Sequence, residues 1–151
     1  MQTGYVMINT LPLHPQTTLQ ENMLIQDTLT FYARHGPFTD PGPFASYYEN
    51  LPHDIDALCS MINGLIVHDI WKNIGQLQLP DERKGEINIR SMQSRLKALL
   101  ACDARPLNEA RPFALRQLGC CRDEALVLCS FLRHLGIPAR VRKGLDRKSV
   151  V

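Results

Sequence analysis

From Cys121 to Leu135 the chain is apolar on nearly every side, with Ala125, Leu126, Val127, Leu128, Cys129, Phe131, Leu132 and Leu135 leaving little face for water. A helix apolar all round has no solvated stripe, so other elements must cover this one. Its ends are marked in the sequence. Gly119 stands two residues before Cys121, Gly136 supplies a left-handed residue after the last turn, and Pro138 blocks continuation. Ala139 to Lys143 then reads as the start of a strand.

The rest of the chain is read around that helix. Leu19, Met23, Leu24, Leu29 and Tyr32 fit one helical face loosely, which predicts a helix over Thr18 to Arg34. HGPFTDPGPF follows, where three prolines and two glycines stop any helix. Ala45 to Asn50 reads as a short helix. A long helix is expected next, with Asp54 as N-cap, Ile55, Leu58, Ile62, Leu65, Ile66 and Ile70 at helical spacing, and Gly75 as its stop. Another is expected from Asp81, turning Ile87, Met92, Leu96, Leu99 and Leu100 inward while Arg90, Arg95 and Lys97 stay solvated, and ending before Asp103. Residues 1–16 show little periodicity, and Leu107 to Leu118 reads as a connector with a short turn of helix.

Length and composition bound the possibilities more loosely. A chain of 151 residues suffices for one domain with a core but not for two ordinary ones. Its net charge of +2 sets up no strong field toward nucleic acid or anionic lipid. No apolar run approaches the ~20 residues of a membrane helix, and the N-terminus lacks the pattern of a secretory signal, so a cytoplasmic location is expected. The five cysteines, Cys59, Cys102, Cys120, Cys121 and Cys129, are odd in number and irregularly spaced, which favours reduced thiols. Cys120, Cys121 and Cys129 form no C-x-x-C pair and no histidine cluster completes a ligand set, so no metal or other cofactor is expected.

Cys121 carries the candidate chemistry. The thiolate is the nucleophilic form, and unpaired amides and the dipole at a helix N-terminus stabilise it. Gly119 would let the backbone turn sharply into the helix, the buried helix would hold the sulfur on a rigid support, and Arg122 would add positive charge. A cysteine before an apolar helix is more commonly structural than catalytic when it stands alone.

The segment as a whole is more specific. G-x-C-R-D, then a buried helix, then L-R-x-L-G-I-P-A-R-V-x-x-G is carried by Gly119, Cys121, Arg122, Asp123, Leu132, Arg133, Gly136, Ile137, Pro138, Ala139, Arg140 and Gly144. It resembles the core of the transglutaminase-like superfamily. FYARHGPFTDPG, GLIVHDIW and the R-P-L-x-E-x-R-P stretch from Arg105 to Pro112 extend the likeness to a bacterial branch of that superfamily. Two positions depart from the pattern: Glu124 stands where an aromatic or apolar residue is usual, and Cys120 where Asn or a small residue is common.

The resemblance implies an α+β, papain-like core, of which this chain would hold mainly helices and a short C-terminal strand. Residues 1–115 would form an N-terminal helical region and 116–144 the first part of the core. It also implies a Cys-His-Asp triad, a thioester on Cys121 and transfer of the acyl group to water or an amine, with a peptide, a protein or a small amide as substrate. The superfamily's histidine lies on a strand after the GIPAR segment, whereas the histidines here are His14, His35, His53, His68 and His134. His134 is thirteen residues along the helix from Cys121, a rise of ~20 Å, and is read as a solvated helix-end residue. His68 is read as a packed or surface histidine and left out of the triad.

The last six residues, DRKSVV, match one reading frame of a common sequencing adapter. Residues 145–151 are therefore expected to be a non-native tail, and the chain a truncated enzyme with an incomplete core and no activity by itself. The rival reading is a non-catalytic helical binding or structural module with Cys121 as an inert thiol. A nucleic-acid binder, prompted by Arg133, Arg140, Arg142 and Lys143, lacks the interleaved aromatics that would support it.

Overall fold

The computed structural model describes residues 2–8, 18–70 and 80–145. The order is β1 (Gln2–Ile8), α1 (Leu19–Ala33), a 3-10 turn at Gly42–Tyr48, α2 (Ile55–Leu65), β2 (Ile66–His68), a 3-10 segment at Asp81–Asn88, α3 (Met92–Cys102), a 3-10 turn at Phe113–Leu115, β3 (Gln117–Gly119), α4 (Cys121–His134) and β4 (Ala139–Leu145). The class is α+β, with helices predominating.

α4 is the buried hub. Ala125, Leu126, Val127, Cys129, Phe131 and Leu132 are all buried on it. All of these except Ala125 belong to one core cluster with Leu58, Ile62 and Leu65 of α2, Met92, Leu96 and Leu99 of α3, and Tyr48 and Leu107. Its C-terminus closes as the sequence predicts. Gly136 has φ +74°, its N–H donates to the Arg133 carbonyl at 3.1 Å, and the Ile137 N–H donates to the Leu132 carbonyl at 2.8 Å. This is a Schellman closure, in which only glycine takes the left-handed residue without strain.

α2 starts at its expected cap, and α1 starts after Thr18, where its helix is expected to begin. Thr18 and Glu21 form a capping box, and the Asp54 carboxylate accepts the Ala57 N–H at 2.8 Å. α1 nevertheless buries none of its residues, and Leu19, Met23, Leu24 and Phe31 are exposed. Its face is apolar without being covered.

Three expectations are corrected. The helix from Asp54 ends at Leu65, because Ile66–His68 leaves the helical path to pair in parallel with Gln117–Gly119; its expected stop at Gly75 lies outside the described residues. The helix expected from Asp81 is a 3-10 segment followed by α3, which starts at a new cap, with Ser91 Oγ accepting the Ser94 N–H. Arg95, expected in solvent, is 2% exposed. Gln2–Ile8, ahead of the helices, runs antiparallel to Ala139–Leu145, with Ile8 opposite Ala139 and Gln2 opposite Leu145. Of the expected tail, Leu145 belongs to β4 and 146–151 lie outside the described residues.

Two loop segments of the sequence serve as struts. Arg111 is buried, and its guanidinium donates to the carbonyls of Asp103 at 3.1 Å and Arg105 at 2.9 Å, fixing the Arg105–Pro112 loop. In the proline-rich connector, the Thr39 carbonyl accepts from Ser130 Oγ of α4 at 2.6 Å, and the Ser130 and Tyr48 hydroxyls are 2.9 Å apart.

Candidate active site

Gly119 closes β3, Cys120 is the N-cap of α4 and Cys121 is its first residue. Cys121 is thus carried, partly buried, at the positive end of the most buried helix, between the partly buried Cys120 and the exposed Arg122. None of the five cysteines is in a disulfide.

The first turn of α4 is clamped by Asp123, which is fully buried. Its carboxylate accepts the Cys120 N–H at 2.9 Å, completing the cap, and pairs with Arg95 Nη2 of α3 at 2.8 Å and Arg122 Nη2 at 2.9 Å. Arg95 also donates to Gln117 Oε1 of β3 at 2.7 Å, so one guanidinium joins α3, β3 and the start of α4. The expected electrostatic help from Arg122 is reduced, because that guanidinium is bound to Asp123 and to the Ile87 carbonyl at 3.1 Å. The free edge of β3 is satisfied by Glu86, whose carboxylate accepts the Leu118 N–H at 2.7 Å and is itself held by Arg83.

Gly119 acts by close approach and not by an unusual backbone angle, since among the described residues positive φ occurs at Gly42 and Gly136. A Cβ on Gly119 would meet Ile66 Cγ2 at 2.9 Å and Asp123 Cβ at 3.2 Å. Any side chain there pushes the first turn of α4 away from the β2–β3 sheet. Gly119→Val is expected to lower folding stability by about 1–3 kcal/mol, as for other overpacked sites. Thermal denaturation checks this, and an unchanged melting temperature would show that the contact is not tight.

The structure places the two vicinal thiols differently. Burial, and then the Asp123 charge, push the Cys120 thiol above its ordinary pKa, which disfavours its thiolate. Burial does the same to Cys129, enclosed in the core. His134 is exposed at the far end of α4, edge-on to Tyr48, away from Cys121 as expected.

His68, set aside in the sequence, comes to this site. It pairs in register with Gly119, and the Asp69 N–H donates to the Gly119 carbonyl at 2.8 Å. His68 Nδ1 lies 2.8 Å from Asp69 Oδ1. Glu124, in the first turn of α4, has its carboxyl pKa raised by burial, with the nearby His68 opposing that shift. No sequence pattern announced this, because it depends on a strand that helical periodicity masked.

Among the described residues no cluster of three or more His, Cys, Asp or Glu is placed to hold a metal ion. No helix among them is long and apolar enough to cross a membrane. A groove of about 500 Å³ beside α4 is lined by residues including Phe31, Phe38, Arg90, Arg122, Arg133 and Arg140, but not by Cys121.

The fold and site thus define an α+β protein with a cysteine at the N-terminus of a buried helix that leads into a strand. Residues 90–150 match the family model of the transglutaminase-like superfamily. Proteins of that superfamily are generally cysteine-dependent enzymes. No curated protein and no solved structure matches the chain.

Proposed function

We propose that Cys121 is the nucleophile of a cysteine acyltransferase or amide hydrolase and forms a thioester with the acyl group of a peptide, a protein or a small amide. The observation that carries this reading is the position of Cys121 as first residue of α4, inside the segment that matches the superfamily. The Asp123 clamp supports it, because a nucleophile must be held in place before substrate arrives. The thiolate attacks the acyl carbon, the amine leaves, and water or a second amine takes the acyl group from sulfur.

Competitive labelling tests the nucleophile. With limiting iodoacetamide at neutral pH, Cys121 is expected to be modified several-fold faster than Cys59 or Cys102, as read by peptide mass spectrometry. Burial and the neighbouring Asp56 and Asp54 raise the Cys59 pKa, which makes it a slow reference. Cys102 is exposed, so access alone favours it over Cys121. Labelling led by Cys102 would support an inert thiol in a binding module instead.

A further inference from the structure

The groove beside α4 is bordered by charge of one sign. Arg122 in the first turn of α4, Arg133 in its last turn, Arg140 of β4 and Arg90 ahead of α3 line it, and among the described residues no Asp or Glu does. Arg122 is paired with Asp123. No carboxylate of the described residues pairs with the other three. Arg90 donates to the Ile87 carbonyl at 3.0 Å, Arg133 to the carbonyls of Ala139 at 2.9 Å and Arg34 at 3.1 Å, and Arg140 to the Tyr32 hydroxyl at 3.4 Å. These acceptors orient the guanidiniums without neutralising them.

Between the charges the walls are apolar. Phe31 of α1 and Phe38 of the proline-rich connector are 70% and 62% exposed, and Leu126 of α4 and Val141 of β4 add aliphatic surface. The connector is fixed at its backbone, because the Phe38 carbonyl accepts the Met92 N–H at 2.8 Å and the Thr39 carbonyl accepts from Ser130 Oγ at 2.6 Å. This wall therefore stands before a ligand arrives, and little ordering is left to oppose binding.

The dimensions select among anionic ligands. Arg122 and Arg133 are eleven positions apart on α4, a span of ~16 Å along the helix axis. An extended peptide covers that span with about five residues. A cavity of about 500 Å³ admits side chains and not a duplex. A single nucleic-acid strand stacks its bases on successive aromatic platforms, which Leu126 and Val141 do not supply. Guanidinium forks match the planar carboxylate of Asp and Glu.

We propose that this groove docks an extended acidic peptide segment of a partner protein. Its carboxylates meet Arg90, Arg133 and Arg140, and a large apolar side chain lies against Phe31 and Phe38. Cys121 does not line the groove, so the inference stands apart from the reading of that thiol as a nucleophile.

The experiment is fluorescence anisotropy of a short labelled peptide of Glu and Leu residues, titrated with the full chain. Saturable binding that weakens as salt rises is expected. Arg90→Ala and Arg140→Ala together should weaken it about tenfold, and Phe38→Ser by about the same factor. Lys97→Ala removes a charge from the exposed side of α3, outside the groove, and should leave the affinity unchanged. A peptide with Gln in place of Glu should not bind. No saturable binding, equal binding of the Gln peptide, or an affinity unmoved by the two arginine substitutions overturns the proposal. Tighter binding of an oligothymidylate of equal charge, or of phosphatidylserine vesicles, overturns it in favour of a nucleic acid or a membrane. Should Arg140→Ala fail to fold, as circular dichroism would show, Arg90→Glu decides, because Arg90 is exposed. An unchanged affinity in that folded variant overturns the proposal.

Discussion

Arg95→Ala is expected to destabilise the fold by about 3 kcal/mol, the lower end of the range for breaking a buried ion pair. Arg95 is 2% exposed and Asp123 fully buried, so removing the guanidinium strands a carboxylate where water cannot reach it. Burial alone pulls the Arg95 pKa down, and the Asp123 charge opposes that shift. The loss stays at the low end because Arg122 and the Cys120 N–H still reach Asp123. It also removes the donors to Gln117 Oε1 and to the Ile89 carbonyl, 3.3 Å away. Arg95→Lys should recover only part of the loss, since one ammonium cannot replace a planar fork that reaches three partners. Urea denaturation measures this directly. A change below about 1 kcal/mol would mean that the Arg95–Asp123 pair is not the clamp described.

The Arg95 result also shows where sequence reading stopped. The pattern at Met92, Leu96 and Leu99 gives the apolar face of α3, whereas arginine's usual preference for water predicts an exposed Arg95. Its partner lies twenty-eight positions further along the chain, at Asp123, and local spacing carries no trace of such a pair. α4 was legible almost to the residue because its signals are local: a glycine before it, an unbroken apolar run, and Gly-Ile-Pro to close it. Ile66 to His68 was not, because three apolar or neutral residues at the end of α2 satisfy helical spacing as well as strand pairing. Pairing with Gln117–Gly119 decided between them, and misreading that strand hid His68 from the site. Gln2–Ile8 was missed for a similar reason, since its partner is at the other end of the chain. The position of Cys121 at the start of α4 is legible from the motif, whereas the Asp123 clamp behind it is not.

Cys121→Ala is expected to abolish acyl capture. An activated ester such as p-nitrophenyl acetate tests the nucleophile separately from the rest of the chemistry, because its phenolate leaves without needing a proton from an acid. The sulfur of Cys121 displaces p-nitrophenolate, and an acetyl thioester remains on the protein. Cys120 should not substitute, since burial and the Asp123 charge hold its thiol protonated and it forms the cap and not the first turn. Mass spectrometry of the intact chain and its peptides after brief exposure at neutral pH is the most direct measurement. One acetyl group on Cys121, absent in Cys121→Ala and retained in Cys120→Ala, is the predicted result. Acetyl spread evenly over the thiols, or capture surviving in Cys121→Ala, would contradict the assignment of Cys121 as the nucleophile.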